Sequence, residues 1–220
     1  MELTSQFHDN RTERGLEQED GGKMTVKTKE KRDQILKAAE ELFASRRYDE
    51  ITMDEIAQLA QVGKGTLYRY FPSKEALLYA ILQTGHEDLV ASIRSAAMKK
   101  GSFQEILTGV CRQIAVSHER RHPMFHMVFS LNRRMPNDSP EARARCEQMK
   151  MNYENLIGAL AGVFRYGREE GVLRGGLSDE ALASCLLNLM HGVGHSKGDA
   201  VQRLSLEELV ELFCHGIMKS

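Results

Sequence analysis

The chain has 220 residues, a net charge of −1, four cysteines and 41% hydrophobic residues. So small a charge excludes a protein that coats nucleic acid by charge alone, and no apolar run is long enough to span a bilayer. Length and apolar content suit one small and one larger domain, and the lack of any period-two run points to an all-α fold.

Met1 to about Lys23 is polar and acidic, lacks apolar periodicity and ends at Gly21-Gly22. Residues 1–28 are expected to form a disordered tail with no secretory signal, and Met24 is the expected natural start. Lys29 to Arg46 then reads as one amphipathic helix, with Ile35, Leu36, Ala39, Leu42 and Phe43 as its apolar stripe.

Ile51 to Leu77 reads ITMDEIAQLAQVGKGTLYRYFPSKEAL. Thr52 and Glu55 have capping-box spacing, so a helix should start at Met53. Ile56, Ala57 and Ala60 give it one apolar face. Gln61-Val62-Gly63 interrupts the pattern, with Gly63 expected to free the backbone and Val62 to plug the gap between two helices. A second short helix should run from Lys64 to Tyr70 and send only Leu67 and Phe71 to the core. Its remaining surface, Lys64, Gly65, Thr66, Tyr68, Arg69 and Tyr70, is cationic, small or hydroxyl-bearing. Such a surface can donate to phosphates and base edges, as a recognition helix in the major groove must. Pro72 ends that helix and Ser73 caps the next. Lys74, beside the first free N–H groups, is expected to clamp a phosphate. From Met24 to Lys74 there are ten basic and eight acidic side chains, so binding would rest on where the charges lie.

Thr52, Ile56-Ala57, Ala60, Val62, Gly65-Thr66-Leu67-Tyr68, Tyr70-Phe71, Lys74-Glu75 and Leu77 together resemble the TetR/AcrR family of transcriptional regulators, without gaps. The resemblance implies a three-helix DNA-binding head over residues 29–89, with its helix-turn-helix at about 52–71. It implies a helical ligand-binding and dimerisation domain over 90–220, in a cytoplasmic regulator without cofactor or catalytic residues. Thr52, Lys64, Gly65, Thr66, Tyr68, Arg69, Tyr70 and Lys74 are the implied DNA contacts. Lys27, Lys29, Lys31 and Arg32 would lie near the DNA backbone, although Glu30 and Asp33 interleave as in a solvated helix start. Two departures stand out: Gly63 replaces a side-chain N-cap, and Asp54 replaces a cation, leaving base reading to Lys64–Tyr70.

Downstream, one helix should run from Lys74 to about Met98. A Ser102–Glu105 capping box opens another, which His122-Pro123 should break before a short apolar segment from Met124 to Leu131. Pro136 to Pro140 reads as a loop with a proline at the next helix start, and Gly171 as that helix's stop. Ser178 opens a helix to about His195, and Ser205 with Glu208 opens the last, ending near Lys219. The scattered cysteines, Cys111, Cys146, Cys185 and Cys214, read as reduced and buried.

Family resemblance implies a homodimer through the last two helices, with Leu186, Leu189, Met190, Val193, Leu209, Val210, Phe213 and Ile217 at the interface; the alternative is that these stripes are all intramolecular core. It also implies a pocket for an unidentified small-molecule effector, for which Phe103, Phe125, Met127, Phe129, Met149, Tyr153 and Phe164 are candidates; Met and aromatic residues at this spacing are equally read as core. The partners expected are double-stranded operator DNA, a second copy and the effector, with no membrane. The whole reads as a homodimeric repressor released from a pseudo-palindromic operator by an apolar or amphipathic molecule. A regulator without such a ligand is the alternative. A metal-binding helical bundle also competes, because His118 with His122, His191 with His195, and Glu119 with His122 have ligand spacing. A second Glu-x-x-His is missing, so no metal site is expected.

Overall fold

The computed structural model describes residues 17–132, 140–194 and 204–219. The described residues are helical, in the order α1 (Glu17–Ser45), a 3-10 turn (Tyr48–Glu50), α2 (Met53–Leu59), α3 (Lys64–Tyr70), α4 (Lys74–Ala97), α5 (Phe103–Asn132), α6 (Pro140–Glu169), α7 (Asp179–Gly194) and α8 (Leu206–Ile217). The chain divides into two compact units, Met1–Leu77 and Leu78–Ser220.

In the first unit, Ile35, Ala39 and Phe43 of α1 are fully buried, along with Ile51, Ile56 and Leu67. Each such side chain contributes on the order of 1.5–3 kcal/mol, enough to hold two seven-residue helices that would not persist alone. The α2 start is the expected capping box: the Thr52 hydroxyl accepts from Glu55 N–H, and the Glu55 carboxylate accepts from Thr52 N–H at 2.8 Å. The turn differs from expectation. Gly63 is extended (φ −69°, ψ 148°), and the left-handed residue is Gln61 at φ 54°. Val62 is only half-buried. Residues 17–28 also differ: they continue α1 through Gly21-Gly22 rather than forming the end of a disordered tail. The tail reading for residues 1–16 lies outside the described residues.

The second unit is built around Phe164, whose ring packs against Phe103 and Phe213, each with centroids 6.0 Å away. Leu107, Val110, Leu160, Leu186 and Val210 complete this core. Capping boxes at Ser102–Glu105 and Ser205–Glu208 start α5 and α8 as expected, and the Ser178 hydroxyl accepts from Ala181 N–H before α7. The expected break at Pro123 does not occur, and α5 runs through it to Asn132. Proline in a helix costs about 3 kcal/mol. Ile114 before it and Met124 after it are both buried, so α5 is packed on either side of the proline. Gly171 ends α6 at φ 72°, as expected; the Pro136–Ser139 loop lies outside the described residues. A clasp closes the unit: Leu173 pairs with Met218, Arg174 N–H donates to Ile217 O at 2.7 Å, and Lys219 N–H donates to Val172 O at 2.9 Å.

Candidate functional site

Helix α3 presents one face to the core and another outward. Leu67 is fully buried and Phe71 nearly so, as the sequence implied. Lys64, Gly65, Tyr68 and Arg69 are exposed, and Thr66 and Tyr70 are half-exposed. Neither Gly63 nor Gly65 has protein within 4 Å of where a Cβ would stand, so packing does not require glycine at either position. Lys64, Tyr68 and Arg69, with the half-exposed Thr66, thus give one short helix a donor-rich outer surface. Arg69 lies over the Tyr70 ring at 5.5 Å, which holds its guanidinium along the helix.

Neighbouring charges set how this strip works. Lys64 Nζ pairs with Asp54 Oδ2 at 2.5 Å, both side chains being more than half exposed. Arg46 bonds Glu55 Oε1 at 2.8 Å and the Glu50 carbonyl at 3.0 Å, tying the end of α1 to α2. The Arg46 bond, followed by the Thr52 backbone and hydroxyl bonds, pulls the Glu55 carboxyl down to about 2. Thr52, an expected DNA contact, has its hydroxyl committed to this cap: it donates to Glu55 Oε2 at 2.9 Å and accepts from Glu55 N–H at 3.2 Å.

Lys74 is placed differently from expectation. Its ammonium donates to the carbonyls of Tyr48 and Ile51, at 2.5 and 2.7 Å, and lies 4.1 Å from the Tyr48 ring centroid. Partial burial lowers its pKa, partly opposed by Asp49 and Glu55. Two of its three N–H bonds therefore hold the loop between α1 and α2. That role spans 26 residues, so local spacing gave no sign of it.

The expected pocket residues do not gather. Phe103 and Phe164 belong to the core, Met127 is half-buried, and Phe125, Phe129, Met149 and Tyr153 are exposed. A groove of about 600 Å³ instead lies between α4 and α5, lined by Leu89, Val116, Ser117, Arg112, Arg120 and Arg121 among others. None of the seven expected residues lines it. Gly85 makes room at its wall, because a Cβ there would meet the Arg121 side chain at 2.0 Å.

The expected dimer residues divide in the same way. Leu186, Leu209, Val210 and Phe213 are buried within the unit's own core, and Met190 and Ile217 pack against it. Leu189 is 48% exposed. Val193 lies on the α7 backbone, and its side chain is outside the described residues. The outward apolar positions of α7 and α8 are Leu189 and Leu212, the latter 64% exposed. Most of the residues marked by periodicity serve the unit's own core; Leu189 was marked and faces outward, and Leu212 was not marked.

Cys111 and Cys214 are buried as expected, and burial, with Cys214 alongside, pushes the Cys111 thiol up to about 12. Cys146 and Cys185 are exposed, contrary to expectation. His118 and His122 face each other at 5.5 Å between ring centroids, while His191 and His195 lie outside the described side chains. Sequence reasoning missed His126, four residues beyond His122, whose ring is 4.5 Å from that of His122.

Comparison with known proteins places this geometry. The family model "Bacterial regulatory proteins, tetR family" matches residues 35–81. The chain is 46% identical over 67 residues to the HTH-type transcriptional activator FasR of Mycolicibacterium smegmatis, covering 30% of this chain and 31% of FasR. It is 24% identical over 170 residues to the HTH-type transcriptional regulator UidR of Escherichia coli, covering 77% and 83%. The match thus spans about a third of the length of the first curated relatives. Among solved structures, a transcriptional regulator from Saccharomonospora viridis in complex with choline aligns over 87% of this chain and 100% of its own. Its TM-score is 0.64 and its identity 20%, a likeness of fold.

Proposed function

Because the chain belongs to the TetR family of transcriptional regulators, we propose that it is a homodimeric, ligand-responsive repressor acting through α3. The observation that carries this reading is the outward donor surface of Lys64, Tyr68 and Arg69 with the half-exposed Thr66, backed by the buried Leu67. Lys64 and Arg69 contact phosphate or guanine edges, and Thr66, Tyr68 and Tyr70 donate to phosphate oxygens. Gly65 lets the α3 backbone approach the duplex. Thr52 and Lys74 act from behind, by capping α2 and bracing its approach loop.

One such helix reads few bases. Two-fold symmetry sets a second in the next major groove, roughly 34–36 Å away, and so dictates a pseudo-palindromic operator. The outward Leu189 and Leu212 supply apolar surface for that dimer. The head is taken as residues 29–89 and the regulatory domain as 90–220, which counts the first turns of α4 with the head although the compact units divide after Leu77. The effector is an apolar or amphipathic small molecule, and the α4–α5 groove is the site proposed for it. To release DNA, it must bind the non-operator arrangement more tightly than the other. The S. viridis structure of similar fold holds choline, so a protein of this fold can take up a small molecule. No catalytic step is proposed.

The test is selection of bound fragments from the source genome, followed by fluorescence anisotropy on the selected duplex. Tyr68→Ala should weaken binding at least about tenfold with an unchanged melting temperature. Equal affinity for selected and scrambled duplexes at 150 mM salt, roughly the physiological range, would exclude the reading.

A further inference from the structure

We propose that His122 and His126 form a two-nitrogen site for a first-row transition-metal ion, of the zinc, nickel or copper class. The two residues are one helical turn apart on α5, and their Nε2 atoms are 3.2 Å apart. Metal–imidazole bonds are about 2.0–2.1 Å, so two nitrogens at right-angled to tetrahedral separation stand about 2.9–3.4 Å apart. The pair already has that bite. Its rings meet edge-on at 75°, and the His126 side chain is exposed.

The same separation suits a hydrogen bond between the rings, in which one Nε2 carries the proton and the other accepts it. Metal binding needs both Nε2 lone pairs. When metal binds, the donor ring therefore moves its proton to Nδ1. His118 stands one turn earlier, but its ring stacks on Phe125 at 6.2 Å. No set of three potential ligands converges among the described residues, so water completes the coordination sphere. Two imidazoles favour the nitrogen-seeking ions over magnesium or calcium.

The position gives such a clip a purpose. Pro123 lies inside the turn bracketed by the two histidines and has no N–H to return to the Glu119 carbonyl. The bond it lacks belongs to the turn just before, 119–123, so a metal bridge from His122 to His126 would fasten the turn that follows that gap. The inference goes beyond the DNA-binding reading and does not depend on it.

Calorimetric titration of the full chain with zinc chloride tests it. His126→Ala and His126→Gln should each weaken zinc binding on the order of tenfold or more, while His118→Ala should keep the parental affinity. Far-UV circular dichroism of each variant checks that the helices persist, and the glutamine variant preserves side-chain bulk if alanine perturbs α5. Unchanged zinc affinity in a folded His126 variant would overturn the assignment. So would an equal loss in His118→Ala.

Discussion

Lys64 Nζ lies 2.5 Å from Asp54 Oδ2, so the first cation of α3 is held by an acid of α2. Both groups face solvent, and such a pair adds little to stability, about 0–1 kcal/mol. Its effect falls on DNA binding, because the acid competes with phosphate for the same ammonium. Asp54→Asn should leave urea stability within about 0.5 kcal/mol and tighten operator binding about two- to fivefold at low salt. Anisotropy at two salt concentrations measures this. Weaker binding by the variant would mean that Asp54 aims Lys64 rather than restraining it.

Lys74 carries a different expectation. Its ammonium satisfies the carbonyls of Tyr48 and Ile51 and packs over the Tyr48 ring. Lys74→Met keeps the stem and removes both donors, so it should cost about 1–3 kcal/mol by urea denaturation. A loss of DNA affinity with stability intact would restore the phosphate-clamp role that the sequence suggested.

Gly65 separates folding from recognition. It lies in the first turn of α3 with open space around it, where alanine should stabilise the helix by less than the roughly 0.5–1 kcal/mol of a helix interior. If the α3 backbone lies close to DNA, the same methyl group obstructs the duplex. Gly65→Ala is therefore expected to melt higher and bind operator more weakly. A variant that gains stability and keeps full affinity would show that DNA does not approach this residue.

Glu55 gives a pH dependence with a defined sign. Its folded pKa, about 2, lies below the ordinary 4.5 because the carboxylate accepts from Arg46 and Thr52. The unfolded state therefore holds more protons in this window, so the contribution is complete above about 4.5 and is lost as pH falls toward 2. Glu55→Gln should lower stability at neutral pH and flatten its acid dependence between those values. Identical acid profiles for the two proteins, followed by circular dichroism, would remove Glu55 from the account.

Features written in neighbouring residues were legible in the sequence. Thr52 with Glu55, Ser102 with Glu105, and Ser205 with Glu208 each form the box their spacing predicts, because a cap is made within one turn. Leu67 and Phe71, four residues apart, read as core by helical period and are buried. Long-range relationships were not legible. The Lys74–Tyr48 brace spans 26 residues, and the residues beside Pro123 give no sign that α5 continues through it. On α7, Leu186 and Leu189 look alike as letters, yet one is fully buried and the other is half-exposed. An apolar stripe does not declare whether its partner belongs to the same chain.

The clasp between residues 172–174 and 217–219 bears on how the protein resists proteolysis. Lys219 N–H donates to the Val172 carbonyl and Arg174 N–H to the Ile217 carbonyl, so two backbone segments far apart in sequence hold each other. Cutting away residues 217–219 would leave those groups of Val172 and Arg174 without their partners. A protease would then find its easiest entry in the turn after α6, where local opening needs the least energy.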